Sequence, residues 1–139
     1  MKLTHSGWAA LLTALAACGG EAPPATNALP ALAASPDITV SGISSGGYMA
    51  GQFQVARSAS VAGAAIVAAG PWGCALGEIG RALGPCMSGE GLDVEPLRVK
   101  ASDLAAAGRI DPLEGLADHS VLVFRGTNDA AIAPPVTQA

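Results

Sequence analysis

The residues with the clearest chemistry form the run Gly42-Ile43-Ser44-Ser45-Gly46, which fits the pattern G-x-S-x-G. In this pattern the central serine lies on a sharp turn between a strand and a helix, where its hydroxyl can act as a nucleophile. The turn strains the backbone of Ser44, and we expect that side chains at positions 42 and 46 would collide, so both must be glycine. The backbone N–H of Ser45 would stabilise a developing oxyanion at the helix N-terminus.

This pattern also occurs in turns without catalysis, so its flanking elements decide its meaning. A β-rich segment precedes it at residues 37–42, and a helical pattern follows at residues 45–57. Both elements are required by a nucleophile turn, and they favour the catalytic interpretation. Ser45 is the alternative nucleophile, but it has isoleucine rather than glycine two positions before it. We therefore predict Ser44 as the nucleophile.

A serine nucleophile needs a base and an acid that orients the base. Asp129 fits the acid because it follows an apolar, strand-like run at residues 120–126; a turn-forming Asx residue is the alternative. The chain has two histidines, and His5 lies near the N-terminus. The other, His119, precedes the strand that leads to Asp129, so we expect it on the surface, roughly 20 Å from Ser44 at the other end of the sheet. No histidine of the chain is expected to complete a triad.

Strand-like and helix-like segments alternate along the chain, which predicts an α/β fold with a parallel sheet and flanking helices. Residues 63–69 and 120–126 are short apolar runs typical of buried strands. A loop rich in glycine, proline and cysteine is expected at residues 70–91, and a helix from about Pro96 to Gly108. Three strands leave part of such a sheet uncovered, so we expect a truncated domain that folds poorly on its own.

The helix predicted over residues 45–57 carries Met49, Phe53 and Ala56 at positions i, i+4 and i+7. Apolar residues at this spacing share one side of a helix. We therefore predict that these three residues form one apolar face of the helix.

The first 17 residues have a lysine, an apolar run and small residues before Cys18, as secretory signals do. Leu15-Ala16-Ala17-Cys18 is similar to a bacterial lipobox, in which Cys18 would be lipidated; an ordinary cleaved signal is the alternative. A flexible tether is expected at residues 18–35 and the folded domain at residues 36–139. The net charge of −4 without a basic patch argues against nucleic acid as a partner. Membrane contact is expected only through Cys18, on a protein that is either lipid-anchored or extracellular.

Three segments in order resemble the extracellular poly(3-hydroxybutyrate) depolymerase family. The first is the serine run with its flanks, Val40 to Ala50, and the second is Ala69-Gly70-Pro71-Trp72-Gly73-Cys74-Ala75 with Cys86 downstream. The third is Val123 to Asp129 at the predicted strand end. Together they are more specific than the serine motif alone.

The resemblance implies a partial α/β-hydrolase fold, Ser44 as nucleophile and Asp129 as acid. No cofactor is expected, and no metal, because no histidine lies near Cys74 or Cys86. The resemblance also implies a Cys74–Cys86 disulfide, which would close a 13-residue loop and stabilise the protein by about 3 kcal/mol. Because the serine motif comes so early, the resemblance further implies a permuted topology. The histidine would then follow the acid, beyond residue 139, and a second oxyanion donor would also be absent.

The function predicted from this resemblance is a serine esterase acting on polyester or oligoester substrates, with negligible activity as the 139-residue chain. A short-chain or feruloyl-type esterase and a non-catalytic lipoprotein remain alternatives. Tyr48 and Trp72 could line a polyester-binding surface, and ordinary packing is an equal interpretation for both.

Overall fold

The computed structural model describes residues 33–139, which contain a three-stranded, wholly parallel sheet. Strand β1 (Ile38–Ile43) lies at one edge, β2 (Val61–Val67) in the centre and β3 (Ser120–Phe124) at the other edge. This sheet confirms the predicted α/β class. The signal segment predicted over residues 1–17 and the lipidation predicted at Cys18 lie outside the described residues.

The strand register brings the carboxyl ends of all three strands to one edge of the sheet. Ile43 pairs with Val67, and Val67 pairs with Phe124. We call this the carboxyl edge. Since parallel strands lie about 4.8 Å apart, the loops after β1 and β3 begin about 10 Å from each other.

Helix α1 (Ser45–Ala56) packs against β1 and β2 with its small residues. The buried positions are Gly47, Ala50, Gly51 and Gln54. A Cβ added at Gly47 would lie 2.8 Å from the Val67 carbonyl oxygen, so the helix approaches the sheet too closely for a larger side chain.

The apolar face predicted for this helix is therefore not its packing face. Met49 is 63% exposed and Phe53 is 46% exposed, while Ala56 is half-buried. The hydrophobic spacing was correct as a helix signal, but the close approach to the sheet selects glycine and alanine instead.

The segment between β2 and β3 holds more helix than predicted. The expected loop at residues 70–91 contains two short helices, α2 (Ile79–Leu83) and α3 (Pro85–Ser88). Helix α4 (Glu95–Ala106) matches the helix predicted there, and Gly108 follows it with a φ of +65°. A 3-10 helix (Leu113–Asp118) leads into β3, and α5 (Pro134–Gln138) follows it. No helix within residues 33–139 is long and apolar enough to cross a membrane.

A disulfide joins Cys74 to Cys86, as the resemblance implied, with the Cα atoms 5.9 Å apart. Both cysteines are buried. The bond ties the segment after β2 to α3, and it constrains the stretch that contains α2.

Strand β3 differs from the prediction of a buried strand. All five of its residues are exposed within the described part of the chain, and Leu122 and Phe124 are 60% and 57% exposed. The strand contacts β2 along one side. The apolar surface that we expected a short sheet to leave uncovered is therefore found at β3.

Candidate active site

The turn between β1 and α1 has the strained backbone that the serine motif predicts. Ser44 has φ 56° and ψ −123°, a region that side-chain-bearing residues rarely adopt. Its N–H donates to the Val67 carbonyl at 2.9 Å, and its carbonyl accepts from the Tyr48 N–H at 3.0 Å. A conformation of this kind costs about 1–3 kcal/mol and persists only when its surroundings impose it. Here β2 and the first turn of α1 impose it.

The two glycines of the motif have different roles. A Cβ at Gly42 would lie 2.1 Å from the carbonyl oxygen of Gly46, which no adjustment of a side chain could relieve. A Cβ at Gly46 would meet nothing within 4 Å. The predicted requirement for glycine therefore holds at position 42 and is wrong at position 46, because the collision is between a side chain at 42 and the backbone at 46.

This backbone places the Ser44 side chain at the carboxyl edge, exposed and free of any helix-capping hydrogen bond. Ser45 is the first residue of α1. The first N–H groups of a helix have no intrahelical partner, so the Ser45 N–H is of the type that can stabilise an oxyanion. Both serines line a cavity of about 740 Å³.

The disulfide-linked segment forms much of the cavity wall. Its contributions are mostly apolar or small, among them Leu76, Leu83, Met87 and the Cys74–Cys86 pair. This wall accounts for the apolar character of the cavity beside the exposed Ser44 hydroxyl.

Tyr48 and Trp72 both line this cavity, so the sequence interpretation that gave them a binding surface is compatible with the structure. Tyr48 also has a packing role, since its hydroxyl donates to the Cys86 carbonyl. Burial raises the pKa of Tyr48 above its ordinary value, despite a hydrogen bond with the Gly70 backbone that lowers it.

The Asp129 side chain belongs to the loop that leaves the carboxyl edge after β3. Its Oδ1 accepts the Ala131 N–H at 2.8 Å and the Ile132 N–H at 3.0 Å. The Arg125 guanidinium donates to the carbonyls of Asp129 and Ile132 and so closes the loop from the other side. The N–H groups of Ile132 and Ala131, followed by the nearby Arg125 charge, lower the pKa of the Asp129 carboxyl. The Asp129 carboxylate therefore makes the turn-forming contacts that the Asx alternative predicted, and it is also the side chain that we predict as the acid.

His119 lies at the opposite edge of the sheet, as predicted, because the adjacent Ser120 pairs with Gly63. It is half-buried rather than on the surface as expected. Its Nδ1 lies 3.4 Å from the Gln54 amide nitrogen and its Nε2 lies 3.1 Å from the Ser58 carbonyl. An amide nitrogen only donates and a carbonyl only accepts, so the tautomer with its proton on Nε2 satisfies both contacts. Both ring nitrogens are thus engaged far from Ser44.

Sequence reasoning missed several residues of the cavity. Lys100 and Leu104 reach it from α4, and Ile132 reaches it from the loop after β3. No motif marks these residues, because their position depends on how α4 packs. Asp129 does not line the cavity, but Ile132 lies between the two, since it lines the cavity with Ser44 and donates its N–H to Asp129.

No family model matches the chain. It is 42% identical over 134 residues to a poly(3-hydroxybutyrate) depolymerase of Delftia acidovorans, an alignment that covers 94% of this chain and 27% of that protein. The chain thus spans about a quarter of the length of this relative.

Two solved structures are similar to the described fold. One is a serine-to-alanine variant of a PHB depolymerase complexed with an R3HB trimer, with a TM-score of 0.67 and 28% identity. The other is the PHB depolymerase of Penicillium funiculosum, with a TM-score of 0.66 and 29% identity. Each match covers 81% of this chain and 35% of the other. By sequence and by fold, the chain is similar to about a quarter to a third of the length of poly(3-hydroxybutyrate) depolymerases.

Proposed function

We propose that residues 36–139 carry the nucleophile and the triad acid of a serine esterase that hydrolyses hydroxyalkanoate polyesters or their oligomers. The observation that carries the proposal is the strained Ser44 turn, which opens into an apolar cavity of about 740 Å³. Backbone strain at a cavity is typical of a functional site, and a cavity of this volume accommodates a small organic ligand.

In the proposed reaction the Ser44 Oγ attacks an ester carbonyl and transfers its proton to a base. The Ser45 N–H donates to the oxyanion of the tetrahedral intermediate. The alcohol end of the substrate leaves with that proton, and the acyl group stays on Ser44. Water then attacks the acyl-enzyme and releases the acid. One water is consumed, and one carboxyl and one hydroxyl group are formed.

Asp129 is proposed to orient the base. An aspartate is ionised at neutral pH, as a triad acid must be, and the lowered pKa of the Asp129 carboxyl is in keeping with this. His119 is engaged at the opposite edge, so the base has to come from outside residues 33–139.

The substrate class is proposed from the relatives. The Delftia acidovorans protein carries the name poly(3-hydroxybutyrate) depolymerase, and one structural neighbour holds an R3HB trimer. The apolar wall of the cavity suits the methyl-bearing backbone of such an oligoester. The proposed chemistry uses no metal and no cofactor.

We also propose that the protein acts outside the cytoplasm. The Cys74–Cys86 disulfide supports this, since disulfides persist in oxidising compartments. A signal over residues 1–17 and a lipid anchor at Cys18 remain predictions from the sequence.

A non-catalytic domain that binds oligoesters is the second candidate. The engagement of His119 at the far edge favours it, because that residue is the only histidine within residues 33–139. The two candidates share the cavity and differ in whether Ser44 reacts.

The test starts with the 139-residue chain and a chimera in which residues 36–139 replace the aligned part of the Delftia acidovorans relative. Hydrolysis of a 3-hydroxybutyrate trimer, a p-nitrophenyl butyrate and a feruloyl ester is measured for both. We expect negligible turnover by the chain alone and clear turnover of the trimer by the chimera. A chimera that prefers the feruloyl ester would point to the other esterase class.

The substitution Ser44→Ala should lower turnover by the chimera by roughly four to six orders of magnitude. Ser45→Ala is the matched control, and it should retain most activity because the oxyanion donor is a backbone group. A folded chimera that hydrolyses none of the three esters would leave the binding-domain candidate as the better one. Full activity in Ser44→Ala would exclude this serine as the nucleophile.

A further inference from the structure

We propose that Lys100 binds the terminal carboxylate of the oligoester, so that the cavity selects the acid end of the substrate. This inference rests on the proposed function, because it takes the substrate class from there. It assigns a specificity-determining role to a residue that carries no catalytic motif.

The position of Lys100 follows from the packing of α4. Leu97 and Ala101 are buried, and they fix which side of the helix faces the core. Lys100 and Leu104, four positions apart and therefore on one side of the helix, line the cavity that contains Ser44. The lysine is exposed, so its ammonium keeps its hydration while the residue lines the cavity.

Among residues 33–139, Lys100 is the only acidic or basic residue that lines the cavity. The other polar side chains of the lining belong to Ser44, Ser45, Tyr48, Gln52 and Trp72. Within residues 33–139 the one ion pair joins Glu95 to Arg98 at 2.6 Å, so no carboxylate of that part of the chain lies within 4 Å of the Lys100 ammonium. The charge is therefore available to a ligand.

A hydroxyalkanoate oligomer has one charged group, the carboxylate at its acid end, and every internal linkage is a neutral ester. The chain carries a net charge of −4, so the protein as a whole repels such an anion. Lys100 provides the local positive charge that offsets this repulsion at the cavity. An oligomer held there by its carboxylate presents its internal esters to the rest of the cavity, where Ser44 lies.

Calorimetric titration of the 139-residue chain carrying Ser44→Ala tests this, with the linear 3-hydroxybutyrate trimer as free acid and as its methyl ester. At low salt we expect the free acid to bind about fivefold more tightly than the methyl ester. Lys100→Gln should abolish that preference by weakening binding of the free acid more than binding of the methyl ester, while Lys100→Arg should retain it. Raising the ionic strength to about 0.5 M should reduce the preference, since the attraction is screened.

Arg109→Gln is the matched control, since it removes the same charge from an exposed residue that does not line the cavity. Equal loss of the preference in Arg109→Gln and Lys100→Gln would overturn the inference in favour of a general charge effect. Equal binding of the acid and the methyl ester would overturn it while leaving the proposed function intact. If neither ligand binds to the chain, the KM ratio of the two ligands in the chimera decides, and an equal KM for both overturns the inference.

Discussion

The region around the proposed nucleophile and the region around the proposed acid are held in place by different forces. The turn at Ser44 is enclosed by backbone, with Gly42 against Gly46 and Gly47 against β2. The Asp129 loop follows a strand whose residues are all exposed, and its shape depends on hydrogen bonds to its own carboxylate and to Arg125. Steric exclusion fixes the first region, whereas the second combines polar contacts that water can replace with the buried side chain of Ile132. We therefore expect the first to resist changes in solution conditions and the second to respond to them.

The largest expected effect is that of Gly42→Ala. The added methyl group would overlap the Gly46 carbonyl, so β1 and α1 would have to separate, and we expect a loss of about 3 kcal/mol or more of unfolding free energy. Gly46→Ala is the matched control and should be neutral or stabilising by up to about 1 kcal/mol, since alanine favours a helix. Denaturant unfolding of both variants measures this. Similar losses in the two variants would show that the turn is not fixed by steric exclusion at position 42.

A smaller effect is expected for Arg125→Met, which keeps the length of the side chain and removes its donors. The carbonyls of Asp129 and Ile132 would lose charge-assisted hydrogen bonds, and we expect a loss of about 2 kcal/mol. Arg109→Met, at an exposed position, serves as the control and should change stability by less than about 0.5 kcal/mol. Hydrogen exchange at the amides of Ala131 and Ile132 should accelerate in Arg125→Met. Unchanged exchange at these two amides would indicate that the loop is held by other contacts.

The smallest effect is a pH dependence at Asp129. The pKa of this carboxyl is lowered in the native state, so ionised Asp129 stabilises the fold above its ordinary pKa of about 4. That contribution is lost as the pH falls through the lowered native pKa, where the carboxylate is protonated. Asp129→Asn keeps an acceptor oxygen and removes the charge. The wild-type advantage over this variant should therefore be constant near neutral pH and shrink below about pH 4, as denaturant midpoints would show; an advantage that grew in acid would contradict the assignment.

Much of the fold was predictable because β-branched runs, glycines and Pro96 mark the ends of strands and helices. Strand β1, helices α1 and α4 and strand β3 lie within a few residues of their predicted bounds. Helices α2 and α3 were not predicted, since elements of five and four residues are too short to show a period. Which side of α1 is buried was also not predictable from apolar spacing, because Gly47 and Gly51 allow a close approach that hydropathy does not record.

The residues of the candidate site that could be predicted are those marked by a local motif or by their place next to a strand. The proposals for Ser44 and Ser45 follow from a motif, and the proposal for Asp129 follows from its place after a strand. Lys100 and Ile132 line the cavity only because tertiary packing brings α4 and the loop after β3 to it. The resemblance to a family supplied the pairing of Cys74 with Cys86, which the disulfide in the structure confirms.

The Cys74–Cys86 bond also separates the parts of the fold that need an oxidant from those that do not. The sheet and α1 are built from contacts that need no oxidant, whereas the wall facing Ser44 is closed by a covalent bond that does. The framework can therefore form without oxidation, whereas the wall of the cavity is tied together covalently only once the bond has formed. If the proposed function holds, hydrolysis depends on an oxidising compartment in which this disulfide forms. A copy of the chain kept in a reducing compartment would retain Ser44 but would lack the covalent bond in the cavity wall.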